Sequence, residues 1–261
     1  MTKKFPFVRG ILGTLALAAS FTAIADAPIP ITADAAFDAV TTHIDPESGA
    51  TVSVVLLDIR DPVEYFFSGA PAKVLSIKLL DDDELIEPDN GKVRVIQEGK
   101  FLEYRVNGRY RRMLVDKIET LNTEQLALHF PYWTRTPTGW DKSNADPTTG
   151  SFYPTVATLA DQYDVLILYC RTGGRSSLAA EDLDPTLFWK VYEIDDPGGE
   201  GGHGGFSGSN YDNVFNGQVG FPGRMTSGQI VPSASWMDSG LAIVTTTMPD
   251  TLDPVLPEPT E

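Results

Sequence analysis

The 261-residue chain contains one cysteine, Cys170, so no disulfide can form within it and no cluster of thiolates can hold a metal. Its three histidines, His43, His129 and His203, lie far apart, without the short spacing of a metal site. They read as surface or loop residues, and no metal is expected. Basic residues are scarce: 20 Lys and Arg stand against 36 Asp and Glu, a net charge of −16. That balance excludes binding to nucleic acid through a general basic field. It favours solubility, and any anionic ligand must then be drawn by local charge. Beyond residue 25 no apolar stretch is long enough to span a bilayer. No internal repeat is present.

What the chain does have begins with a leader. Lys3, Lys4 and Arg9 precede an apolar run from Gly10 to Ile24 that closes on Ala23-Ile24-Ala25. This is the pattern of a secretory signal peptide over residues 1–25, cleaved after Ala25 and leaving no stable membrane anchor. The expected location is periplasmic or secreted. In an oxidising compartment a lone cysteine is either a small buried hydrophobe or a residue in use.

Thr32 reads as the N-cap of a short helix over 33–40. Residues 52–60 are almost wholly apolar and β-branched, as in a strand buried on both faces of a parallel sheet, with Asp58, Arg60 and Asp61 at its carboxyl end. A helical turn or two follows over 62–67, and a strand over 74–79. Residues 81–153 change character and read as a β-rich insertion into an α/β domain. Its acidic run, 81–84, reads as a solvated loop. Strands over 101–106 and 109–115 flank Asn107-Gly108, a strong hairpin signal. A helix is expected near 123–130. The tryptophans Trp133 and Trp140 beyond it read as packing residues of the block. A helix over 155–163, a strand over 165–169, a helix over 177–183 and a strand over 190–194 come next. Residues 195–228 form a glycine-rich loop, 235–241 a final helix, and 246–261 a disordered Pro-rich acidic tail.

The chemistry gathers where the strand Val165–Tyr169 meets Cys170. The loop Arg171-Thr172-Gly173-Gly174-Arg175-Ser176 then runs into a helix. A helix N-terminus presents unpaired N–H groups and a positive dipole end, and two arginines add permanent charge. The two glycines let the backbone curl so that successive amides point inward as an anion nest. Such a pocket suits a thiolate, a persulfide anion or an oxyanion, and phosphate as well. Spacing bears on the choice. Four residues separate Cys170 from Arg175, one fewer than in the loop of cysteine-dependent phosphatases.

The stretch CRTGGRSS after LILY resembles the active-site loop of rhodaneses, the thiosulfate sulfurtransferases. Asp58, Arg60, Glu64 and Tyr65 resemble the family's first-strand signature, D-x-R-x-x-x-E-[YF]. Ser68-Gly69-Ala70-Pro71 stands where the family has G-H-I-P-G-A, without its histidine. Residues 191–194 with the glycines after them, and Trp236 to Leu241, are similar to the last strand and closing helix. The resemblance spans 29–80 and 154–245 and omits 81–153 and most of the glycine-rich loop. It implies an α/β rhodanese-like domain over 26–245, an open parallel sheet flanked by helices.

It further implies that Cys170 takes sulfane sulfur as a persulfide from thiosulfate or a similar small donor and passes it to a thiol, cyanide or a protein acceptor, with no cofactor. Arg171 to Ser176 would hold the sulfur and position the donor, and Asp58 and Arg60 would support the loop by charge pairing. Two other readings remain open on the residues. One is a rhodanese-like carrier or partner-binding module without turnover. The other is a phosphatase or arsenate reductase, whose loop should be longer and whose resolving cysteine is missing.

Overall fold

A computed structural model of the chain describes residues 27–81, 84–96, 100–195, 205, 225–226, 229–230, 236 and 239–244. The expected signal peptide, nearly all of the glycine-rich loop and the tail lie outside the described residues. The elements in chain order are β1 (Ile29–Ile31), α1 (Ala33–Thr42), β2 (Val54–Asp58), α2 (Pro62–Ser68) and β3 (Ala70–Leu79). Then come β4 (Leu85–Ile86), β5 (Val93–Ile96), β6 (Phe101–Val106), β7 (Arg109–Leu114), β8 (Ile118–Gln125), β9 (Ala127–His129), β10 (Thr134–Thr136) and β11 (Gly139–Asp141). The remainder is α3 (Phe152–Leu159), β12 (Val165–Tyr169), α4 (Gly174–Glu181), β13 (Lys190–Ile194), β14 (Met225–Thr226), β15 (Gln229–Ile230) and β16 (Ile243–Val244).

The two uninterrupted apolar runs, β2 and β12, lie side by side in a five-stranded sheet of order β1-β13-β12-β2-β9, parallel throughout. Every residue of both strands is buried. Strand alternation divides their side chains between two layers. Val54, Leu56, Val165, Ile167 and Tyr169 meet Ala33, Ala36 and Phe37 of α1 on one face. Val55, Leu57, Leu166, Leu168 and Cys170 meet Phe152, Val156 and Leu159 of α3 and Ala179 and Ala180 of α4 on the other. Each large apolar side chain so buried contributes about 1.5–3 kcal/mol. The protein is thus α/β, with a parallel sheet flanked by a few helices. Among the described residues no helix is long and apolar enough to cross a membrane.

Helix α1 starts as the sequence predicts: the Thr32 hydroxyl accepts from the Ala35 N–H at 3.2 Å. Helix α2 carries a capping box in which Asp61 and Glu64 satisfy each other's backbone N–H groups, with Pro62 opening the helix.

The block 81–153 is rich in strands, with β5-β6-β7 as one antiparallel sheet around the Asn107-Gly108 turn. The helix expected near 123–130 is absent. These residues are strand: β8 pairs antiparallel with β3, and β9 joins the parallel sheet beside β2. Glu124, Gln125, Leu126, Ala127 and Leu128 do favour helix locally. The open edges of β2 and of the ten-residue β3 instead supply ladder hydrogen bonds that a single turn of helix could not match. In the expected final helix the described residues Trp236, Ser239 and Gly240 are in turns, and Leu241 bridges to Arg94. Trp236 is fully buried against Phe37, its indole N–H donating to Ala242 O at 3.0 Å.

Candidate active site

Strand β12 ends at the carboxyl edge of the parallel sheet, where loops can converge on a ligand. Cys170 is the next residue and is buried. Its Sγ accepts the Gly173 N–H at 3.2 Å and lies 3.6 Å from the Ser176 hydroxyl. Gly173 has φ +101°, a left-handed conformation open to glycine, and this bend aims its N–H back at the sulfur as α4 begins. The sulfur therefore faces the positive end of that helix. Thr172 is half-buried in the loop, and Gly174, the first helical residue, is exposed.

Arg175 is buried, and its Nη2 donates to Glu64 Oε2 at 2.5 Å. Arg171, half-buried, brings Nη1 to 3.6 Å from the other oxygen of the same carboxylate. Glu64 also accepts the Asp61 N–H at 3.2 Å. One buried carboxylate thus ties the start of α2 to both arginines of the loop. Burial works against the Arg175 charge, but Cys170 and Glu64 outweigh it and raise its pKa. Arg175 Nη1 is buried with no hydrogen-bond partner among the described residues. A buried donor left unsatisfied is costly, so Nη1 is free to take a further acceptor.

Asp58 and Arg60 form a buried bidentate pair, with Nε–Oδ1 at 2.9 Å and Nη2–Oδ2 at 2.5 Å. Burial raises the carboxyl's pKa, but the Arg60 guanidinium overcomes this and holds it below the ordinary value. Arg60 also donates to Ser68 Oγ and Gly69 O at 2.6 Å, which fastens the end of α2. The carboxylate that meets the arginines of the Cys170 loop is Glu64, a residue of the same D-x-R-x-x-x-E stretch. His129 is not a surface histidine. It stacks on Tyr65 at 4.0 Å and sits 2.9 Å from Arg60 O, and burial lowers its pKa.

Two further residues complete the site. Glu193 of β13 is buried, with Oε1 2.6 Å from Ser176 Oγ and Oε2 2.8 Å from Ser177 Oγ. Burial raises its pKa, and the serine hydroxyls offset this only in part. A charged residue inside the strand Lys190–Ile194 was the available signal for it. Trp140 is exposed and lies over Arg175, its ring centroid 5.0 Å from Cζ, while it also meets Trp133 and Arg135 of its own block. No pattern in the sequence marks that meeting.

Gly205 backs the loop from behind. At φ +71° it packs so closely that a Cβ there would lie 2.6 Å from Cys170 O. Its N–H donates to Ile194 O and its carbonyl accepts from Trp236 N–H.

No family model, curated protein or solved structure matches the chain.

Proposed function

We propose that the protein is a rhodanese-type sulfurtransferase that carries sulfane sulfur as a persulfide on Cys170, exported by its leader to the periplasm or beyond. The 81–153 block is then an insertion in a rhodanese-like domain. The observation that carries this reading is the Cys170 sulfur receiving the Gly173 N–H at the start of α4, with the Arg175 guanidinium, whose Nη1 has no hydrogen-bond partner among the described residues, acting on it from the side. Together they offer hydrogen-bond donors to both ends of a sulfur atom bonded to an oxyanion.

The Cys170 thiolate attacks the outer sulfur of thiosulfate. A sulfur–sulfur bond forms on Cys170, and sulfite leaves with the electron pair of the old bond. Arg175 Nη1, with Arg171 beside it, holds the departing oxyanion. The persulfide anion rests against the Gly173 N–H and the Ser176 hydroxyl at the start of α4. An acceptor thiolate or cyanide then attacks the outer sulfur, and Cys170 leaves as thiolate. With no second cysteine in the chain, the sulfur must pass to another molecule. Ser176 lies between Sγ and Glu193 and relays the thiol proton: the S–H proton moves to Ser176 Oγ as that hydroxyl gives its own to Glu193.

The test is the intact mass of the purified protein and of Cys170→Ser, before and after thiosulfate. One added sulfur on the wild type, removed by cyanide and not seen on Cys170→Ser, is expected. If no sulfane donor adds sulfur to Cys170, the reading is wrong.

A further inference from the structure

The proposed reaction leaves one feature of the site unused, the β10-β11 hairpin that stands over the loop. The Arg135 N–H donates to Asp61 Oδ2 at 2.5 Å, and Asp61 is also the cap of α2. The hairpin and the Glu64 clamp therefore hang from one residue. From this tether β11 carries Trp140 over Arg175, and Arg135 Cζ approaches the same ring at 5.6 Å. The Trp133 ring lies 6.3 Å away at 51°, under the Lys142 ammonium at 4.1 Å. In a chain of net charge −16 this is a local concentration of cations on aromatic faces.

Trp140 is still 40% exposed. Thiosulfate is charge throughout and covers no apolar surface, so it has no use for an indole. A donor that carries its anionic sulfur on a flat apolar group would engage both parts, with the oxyanion on Arg175 and the ring on Trp140.

We propose that Trp140 and Arg135 form a specificity wall that selects an organic thiosulfonate over inorganic thiosulfate. The proposal rests on Cys170 being the sulfur acceptor. In the step, the Cys170 thiolate attacks the terminal sulfur of R–SO2–S⁻. The Cys170 sulfur–sulfur bond forms, the S–SO2R bond breaks, and the sulfinate R–SO2⁻ leaves with the electron pair. Trp140 does not touch the reacting sulfur. It holds R, and so acts on the choice of donor.

The experiment uses the full chain, benzenethiosulfonate and thiosulfate as donors, and cyanide as acceptor, and reads kcat/KM from thiocyanate formed. Thermal melts accompany each variant so that only folded protein is compared. The wild type is expected to prefer benzenethiosulfonate. Trp140→Ala should lower that preference about tenfold, and Trp140→Phe should restore most of it. Trp189→Ala removes an exposed indole at the opposite end of the sheet and should leave the preference where it was. An unchanged ratio in Trp140→Ala overturns the wall while Cys170 still takes sulfur from both donors. If neither donor adds sulfur to Cys170 by mass, the acceptor reading and the wall both fall.

Discussion

Glu64 and Arg175 lie 111 positions apart in sequence and meet at 2.5 Å in a buried pair, beside the sulfur of Cys170. The contact joins the first helix after β2 to the first helix after β12. It sets the guanidinium plane, and so decides where Nη1, without a hydrogen-bond partner among the described residues, points.

Glu64→Gln removes the charge from this clamp and leaves two arginines without their carboxylate. Breaking a buried pair from one side costs about 3–5 kcal/mol. A lowered melting temperature is expected, with a rise in KM for thiosulfate larger than the fall in kcat. A KM equal to wild type would show that the clamp does not position the donor site.

Glu193 bears on pH. Its carboxyl sits above the ordinary value of 4.5 because it is buried. If it accepts the thiol proton through Ser176, the rate of persulfide formation rises with pH as Glu193 ionises. Glu193→Gln should lose that limb of the profile. The stability effect runs the other way. A carboxyl with a raised folded pKa contributes stability below its unfolded pKa, and that contribution is lost as pH rises through the folded value. Glu193→Gln should therefore melt higher than wild type at neutral pH, even as it slows sulfur uptake. Melting curves and stopped-flow rates across pH check the two signs together.

Asp45 predicts the acid limb of stability. Burial would raise its pKa, but Ser48, Tyr192 and Lys190 surround it with donors and hold it at about 2, against 3.8 for the free group. Its contribution is present above pH 3.8 and lost as pH falls through 2. Asp45→Asn should remove it at neutral pH and flatten the acid unfolding curve in that window.

Gly205→Ala tests the backing of the loop. The left-handed φ alone costs an L-residue about 1–2 kcal/mol. The added Cβ would also press on the carbonyls of Cys170 and Arg171. Sulfur loading should fall further than the melting temperature does, because the displaced atoms are those of the cysteine loop. Loading equal to wild type would show that the loop tolerates the push.

Much of the framework is legible from local patterns. The apolar runs at β2 and β12 announce strands buried on both faces. Thr32 announces a helix start, and Asn107-Gly108 announces a hairpin. These features depend on neighbours within a few residues. The helix expected near 123–130 is the instructive miss. Its residues favour helix locally, and two distant strand edges, β2 and β3, turn them into β9 and β8.

Cys170, opening a short cationic loop between strand and helix, is determined by sequence alone. Strand–loop–helix order places the thiol at a sheet edge, and the spacing of glycines and arginines is local geometry. What surrounds the thiol was decided by tertiary structure. Glu64, Glu193, Trp140 and Gly205 come from four separate stretches, and although Glu64 and Glu193 lie in stretches that share the family resemblance, no local pattern sets any of the four against Cys170. The physical reason is range. Hydrogen-bonded turns and strand periodicity act over a few residues. Which carboxylate neutralises a buried guanidinium, and which indole covers it, depends on how sheets and hairpins pack.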